Sequence, residues 1–253
     1  VKMGTLNFGL KNIATCYCAC SKKAGKYLFG DDLMNNNKVN IIKNGIDAKK
    51  FAYNQDVRDM YRSMFNLQDK FVIGHVGRID YSKNHNFLID IFYEIYKTNK
   101  DSRLVLVGDG DLKDEVQRKV NNLRIEDVVM FLGARKDVHN LLQMFDVFLF
   151  PSRNEGFGIA PLEAQAAGLK TFVSEAVASE VKVTDLIEFI SLNKDASYWA
   201  KKVGQFKKRG YKRENTYQLI KEAGYDLESV ANYVENLYYN ELRISNNKSF
   251  VNE

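Results

Sequence analysis

The chain has 253 residues, 45% of them hydrophobic and 27% charged, and a formal net charge of +5. Such a composition excludes disordered and collagen-like chains, and no run approaches the ~20 apolar residues of a membrane-spanning helix. Because acids are interleaved with the basic residues, the mild positive charge calls for no nucleic acid partner.

Val1-Lys2-Met3-Gly4-Thr5 has no apolar run behind it, so the expectation is a cytoplasmic chain, neither secreted nor inserted in a membrane. Cys16, Cys18 and Cys20 alternate with Tyr17 and Ala19, which predicts a strand carrying three thiols on one face. An odd cysteine count with no second Cys or His cluster argues for buried thiols in a reducing compartment, against disulfides or zinc. Ser21 caps a predicted helix reaching about Phe29, Asn35 to Asn37 form a loop, and Val39 to Ile42 a short strand before the turn signal Asn44-Gly45. Residues 1–45 are too short for a domain of their own and read as the remnant of another structure plus a linker.

From about residue 70 short apolar runs alternate with helical patterns. Strands are predicted at Phe71–Val76, Arg103–Val107, Val128–Leu132, Val147–Phe150 and Lys170–Val173. Helices are predicted between them at Asn84–Lys97, Leu112–Leu123, Val138–Met144 and Ile159–Ala167. Strands apolar on both faces and alternating with helices define an α/β domain, a Rossmann-like, doubly wound parallel sheet, here placed at 46–192. Such sheets bind ligands outside the carboxyl ends of their strands. Residues 193–253 form a helical extension, with helices at Ala196–Phe206, Arg213–Ala223 and Leu227–Ile244 and a polar, frayed end from Asn247 to Glu253. Its basic stretch of Lys201, Lys202, Lys207, Lys208, Arg209, Lys212 and Arg213 reads as a solvated helix face, with contact to an anionic membrane as the sharper alternative.

Both prolines flank one strand-to-helix loop, Phe150-Pro151-Ser152-Arg153-Asn154-Glu155-Gly156-Phe157-Gly158-Ile159-Ala160-Pro161-Leu162-Glu163. Gly156 and Gly158 permit close backbone approach, and Pro161 suits the first helical turn. The amides near Gly158 and Ile159 then point out of the helix start and make an anion site suited to phosphate. Glu155 and Glu163 bracket that site as acceptors for hydroxyls, such as those of a sugar and a ribose. Taken alone, the loop reads equally as an ordinary helix start with a surface acid. Gly77-Arg78 at the end of the first strand, with Lys83 five residues on, adds cations suited to a diphosphate at the same sheet edge.

These residues, together with Asn84 beside Lys83, Val107-Gly108-Asp109-Gly110, Phe131-Leu132-Gly133, Asp146 to Ser152, Ala164…Gly168 and the linker-like Asn44-Gly45-Ile46-Asp47, resemble the retaining GT-B glycosyltransferases of family four. The resemblance runs in order over roughly residues 12 to 180. Val181 to Asp185 and Trp199 resemble a branch that builds exopolysaccharide or capsule. The resemblance implies a nucleotide-diphosphate sugar donor and a glycan or lipid-linked acceptor, with transfer retaining anomeric configuration and peripheral membrane contact where the acceptor is lipid-linked. It implies that Arg78 and Lys83 bind the diphosphate and stabilise the leaving group. Glu155 with Gly156, Phe157, Gly158 and Ile159 would hold the hexose and phosphate, and Glu163 the ribose. Gly77 would belong to the donor site, and Gly133, Ala134 and Arg135 would line the base. Neither metal nor cofactor is expected, because Arg and Lys take the metal's place.

Three other readings are set aside. Asp109-Gly110-Asp111 imitates a metal-binding Asp-x-Asp but stands in the family's own glycine turn. Gly108-x-Gly110 lacks the third glycine of a dinucleotide fingerprint, Lys113 standing there. A glycosidase using Glu155 and Glu163 leaves the cations unexplained. His75 is expected in or beside its strand, and His85 and His139 on surfaces, none of them catalytic. The resemblance implies two Rossmann-like domains, and this chain, which begins with Val, is expected to hold only the last strand and helix of the first (12–29). It reads as a C-terminal fragment or truncated product. Its final helix, bearing Tyr233, Leu237, Tyr238 and Leu242, would cross back toward the absent domain. Two functions follow: a glycosyltransferase, or a nucleotide-sugar-binding fragment without turnover.

Overall fold

A computed structural model describes residues 14–249. Contacts divide the chain into a larger unit, 48–220, and a smaller one, 1–47 with 221–253. The leader expectation at Val1–Thr5 and the polar end 250–253 lie outside the described residues.

In the smaller unit β1 (Tyr17–Ala19) pairs in parallel with β2 (Val39–Ile41). Between them run α1 (Lys22–Phe29) and α2 (Asp31–Asn35). The Ser21 hydroxyl accepts from the Ala24 N–H at 3.0 Å and caps α1. The loop expected at Asn35–Asn37 is thus preceded by a helical turn opened by Asp31 and Asp32 at its positive end. Cys16 and Cys18 lie with their sulfurs 3.7 Å apart, and the three thiols are half-buried rather than buried, because β1 is a short strand with one partner. The chain's closing helix, α11 (Leu227–Ser249), carries on five residues past Ile244 and starts from an Asp226 carboxylate that accepts from the Ser229 N–H at 3.2 Å.

The larger unit opens with two helices that apolar periodicity did not reveal, α3 (Ala48–Phe51) and α4 (Gln55–Met64). Its sheet has six strands: β3 (Phe71–Val76), β4 (Ser102–Val107), β5 (Val129–Phe131), β6 (Val147–Phe150), β7 (Lys170–Ser174) and β8 (Ile187–Ile190). They lie in the order β5-β4-β3-β6-β7-β8, all parallel. Between them run α5 (His85–Thr98), α6 (Lys113–Asn122), α7 (Val138–Met144) and α8 (Ile159–Ala166). The unit finishes with α9 (Ala196–Arg209), and α10 (Tyr217–Glu222) follows. Strands buried on both faces explain the continuous apolar runs; Ile73, Leu104, Val147, Leu149, Trp199 and Val203 are wholly buried in one core. The sheet is therefore the doubly wound, Rossmann-like α/β architecture expected, with helices following it.

Three placements correct the sequence reading. β8 is a sixth strand, hidden in sequence because Glu188 interrupts it and is held at its edge by Lys202 at 2.8 Å and Lys170 at 3.4 Å. Arg213 is not solvated: its guanidinium donates to the carbonyls of Leu142, Gln143, Phe145 and Ala167, closing the carboxyl ends of α7 and α8. Burial lowers its pKa to about 9. His85 is buried, 2% exposed, because it occupies the first turn of α5 with its ring edge-on to His75, the centroids 4.6 Å apart. His75 lies inside β3, as expected, and His139 is half-buried.

Candidate donor site at the switch point of the sheet

Strand order reverses between β3 and β6: from β3 the chain winds outward through β4 to β5, and then returns to β6 and winds the other way. Parallel sheets open a crevice at such a point, at the carboxyl ends of the two strands. The segments leaving those ends are Gly77 to Asn84 and Pro151 to Gly158.

The two loops are tied together. The Arg153 N–H donates to the Ser82 carbonyl at 2.7 Å, and the Asn84 amide donates to the Pro151 carbonyl at 3.1 Å. The Lys83 ammonium donates to the Glu155 carboxylate and lies 5.2 Å from the Phe150 ring centroid. Both partners of that ion pair are largely shielded, 19% and 18% exposed. Asp80 shapes the first loop: its carboxylate accepts from the Ser82 N–H at 2.9 Å, the Ser82 hydroxyl at 2.7 Å and the Lys83 N–H at 3.1 Å. Those bonds hold its pKa below the ordinary carboxylate value, against the burial that pushes it up.

Gly158 precedes α8 in the left-handed region, φ 93°, and no side chain caps the helix. The amides at this helix start are thus aimed outward at the edge where Lys83 stands, an arrangement that favours an anion. Gly156 is exposed, Phe157 is buried at 2% and anchors the loop, and Ile159 is 46% exposed. Glu163 stands a turn into α8, half-buried, and makes no side-chain hydrogen bond among the described residues. Desolvation raises its pKa to about 7.

The remaining candidates fall at neighbouring strand ends. Gly77 continues β3, its N–H donating to the Val107 carbonyl at 2.9 Å. Gly108, at φ 136°, packs against it so closely that a Cβ would stand 2.0 Å from the Gly77 oxygen. The Gly108 N–H donates in turn to the Gly133 carbonyl at 2.8 Å, so the turn of Gly133, Ala134 and Arg135 joins the same edge two strands away. Arg135 is bidentate to Asp137, at 2.8 and 2.7 Å, and that partner is held at about 2. Arg78 stays on the rim, 66% exposed, in a loose 3.4 Å contact with Asp111. The structure thus brings Gly77, Lys83, Glu155 and the start of α8 into one crevice, sets Glu163 deeper along that helix, and leaves Arg78 and Arg135 at the periphery.

Sequence reasoning missed Asp80, which had a signal, an acid two residues before Ser82 in a polar turn. It placed Asn84 in the motif beside Lys83 and at the start of α5, but gave no sign of its bond to Pro151.

A parallel Rossmann-like sheet with an uncapped helix start and a shielded Lys–Glu pair at its switch point defines an α/β protein with the fold seen in GT-B structures. The chain belongs to the family described as glycosyl transferases group 1, which it matches over residues 57–224. It is 33% identical over 228 residues to the protein EpsF of Bacillus subtilis (strain 168), covering 89% of this chain and 59% of that one. It is 35% identical over 141 residues to the UDP-Gal:alpha-D-GlcNAc-diphosphoundecaprenol alpha-1,3-galactosyltransferase of Escherichia coli, covering 54% of this chain and 36% of that one. Among solved structures, HepE of Anabaena in complex with UDP and glucose superposes with a TM-score of 0.77 at 18% identity, over 91% of this chain and 64% of that one. Sucrose-phosphate synthase of Thermosynechococcus elongatus superposes at 0.78 and 20%, over 95% and 62%. The chain therefore spans less than two thirds of the length of these relatives. Among the described residues no helix is long and apolar enough to cross a membrane.

Proposed function

We propose that this chain binds a nucleotide-diphosphate sugar at the β3–β6 switch point and that the whole protein transfers the sugar, with retention, to a polysaccharide or lipid-linked acceptor. The observation that carries the reading is the convergence of Lys83, Glu155 and the open start of α8 on one crevice. There Lys83 and the helix amides meet the diphosphate and stabilise the charge that develops as the leaving group departs. Arg78 reaches the same phosphates from the rim. Glu155, already paired with Lys83, turns a carboxylate oxygen toward the hexose hydroxyls. Glu163 accepts from the ribose, and the backbone from Gly133 to Arg135 borders the base. With fixed cations at the phosphates the reaction needs no metal. Retention and the exopolysaccharide branch rest on the family resemblance. The galactosyltransferase relative's UDP-Gal donor and diphosphoundecaprenol acceptor make a UDP-sugar and a lipid-linked acceptor the first pair to try. A cytoplasmic protein working at the inner membrane face suits that acceptor, and Lys201, Lys207, Lys208, Arg209 and Lys212 are exposed for such contact.

The test is turnover of UDP-galactose by the whole protein with a lipid-linked N-acetylglucosamine acceptor in EDTA, the product's anomeric configuration being read by NMR. An α-linked product in EDTA is expected. A β-linked product contradicts retention, and activity restored only by Mg²⁺ contradicts metal independence.

Glu163 supplies a prediction of its own. Its folded pKa, about 7, lies above the value of 4.5 for an unperturbed side chain, so the unfolded chain releases this proton first and stability falls as pH rises from about 4.5 to 7. Hydroxyl donors from a ribose favour the ionised form, so nucleoside diphosphate affinity rises with pH through the same window. Glu163→Gln is expected to melt higher than the parent at pH 8, to bind UDP more weakly, to keep only the pH slope that the ionisation of UDP's own terminal phosphate gives, and to bind inorganic pyrophosphate as the parent does. Melting curves and titrations at pH 5.5 and 8 check all four.

A further inference from the structure

Asn84 is the last residue before α5, where a side chain ordinarily turns back to cap the helix. It does not cap: it sits in the left-handed region, φ 59°, and makes no side-chain cap hydrogen bond. Its amide instead crosses the switch point to the Pro151 carbonyl, 67 residues away, at 3.1 Å and fully buried. The residue thus gives up a helix cap and accepts a strained backbone for one bond between the two loops of the crevice.

Its surroundings are costly in the same sense. Buried side-chain polar atoms without a hydrogen-bond partner among the described residues are His75 Nε2, Asn84 Oδ1, both ring nitrogens of His85, Ser152 Oγ and Trp199 Nε1. All but the last belong to β3, to the two residues following Lys83, or to the residue following Pro151. Polar groups left unsatisfied lower stability, so their gathering beneath one site is not explained by folding. The layer is tight. His75 donates from Nδ1 to the Leu149 carbonyl at 2.8 Å, and a Cβ on Gly77 would lie 3.0 Å from His75 Nε2 and 3.4 Å from Lys83 Cγ. Lys83 therefore rests on Gly77, Gly77 on His75, and the residue that fixes the loop against the opposite strand end is Asn84.

We infer that Asn84 is the positioning residue of the donor site: its cross-loop hydrogen bond holds Lys83 in register with Glu155 and the start of α8. The inference rests on the donor-site reading and deepens it. Asn84 touches no substrate and acts only through Lys83.

The experiment is a double-mutant cycle read by calorimetric titration of this chain with UDP. Asn84→Gly keeps the left-handed backbone and removes the bond; Asn84→Asp keeps shape and backbone preference and removes the N–H donors. Each is expected to weaken UDP binding roughly tenfold in the parent background, in line with loss of one buried hydrogen bond, and less than about twofold in a Lys83→Ala background. A merely structural role would cost the same factor in both backgrounds, and that result overturns the inference. So does parent-like UDP binding by either folded variant while Lys83→Ala binds weakly. Should Asn84→Gly fail to fold, as its melting curve would show, Asn84→Asp alone decides. A folded parent chain that ignores UDP overturns the donor-site reading and this inference with it.

Discussion

Asp146→Ala is expected to destabilise the sheet unit by about 3–5 kcal/mol, the cost of removing one partner from a buried ion pair. Asp146 stands just ahead of β6, and its carboxylate takes Arg58 at 2.5 Å, Arg62 at 3.2 Å and the Val72 N–H at 2.7 Å. Its own N–H donates to the Val72 carbonyl at 2.7 Å, which fixes the register of β3 against β6. The guanidinium of Arg62 is 8% exposed and that of Arg58 16%, and the Arg58 charge also presses on Arg213. Alanine leaves this cationic cluster with no counter-charge at the edge of the sheet opposite the β3–β6 switch point. Urea denaturation measures the loss, and Asp146→Asn, which keeps an acceptor for Val72, is expected to lose less. A loss under about 1 kcal/mol for alanine would mean that the carbonyls around the arginines satisfy them without the acid.

Lys83→Ala is expected to weaken nucleoside diphosphate binding by about 1.5–3 kcal/mol, the range for hydrogen bonds to charged groups. The ammonium is shielded, held by Glu155 and by the face of Phe150, so it meets a phosphate without first shedding a full water shell. Alanine also leaves the Glu155 carboxylate facing the anion with no cation between them, which adds to the loss. Arg78→Ala is expected to cost less than Lys83→Ala, because Arg78 is 66% exposed and screened by solvent. Titration of the three proteins with UDP at one salt concentration checks the order. Equal losses at both positions would mean that the rim closes over the ligand.

Much of the sheet is legible in the sequence, for a physical reason. β3, α7 and β6 fall at the expected residues, because strands buried on both faces need unbroken apolar runs and their bounding turns are polar. What sequence conceals is burial achieved by pairing rather than by apolarity. α4, Gln-Asp-Val-Arg-Asp-Met-Tyr-Arg-Ser-Met, buries Tyr61 and Arg62, and the arginine is inside because Asp146 and the carbonyls of Met144, Gln68 and Lys70 meet it. β8 is hidden by Glu188 in the same way. At the site, the glycines, Lys83, Glu155 and Glu163 are readable as a pattern because backbone approach and anion binding restrict residue type. The cross-loop bond of Asn84 and the burial of His85 are not readable, since they depend on Pro151 and on His75 folding against them from other parts of the chain.

The most direct measurement of the donor site is calorimetric titration of this chain with UDP, GDP and ADP in EDTA, alongside its melting curve. Saturable binding of one of the three without metal, weakened in Lys83→Ala, is the predicted result. A chain that melts cooperatively yet binds none of them, or binds only when Mg²⁺ is added, would contradict it.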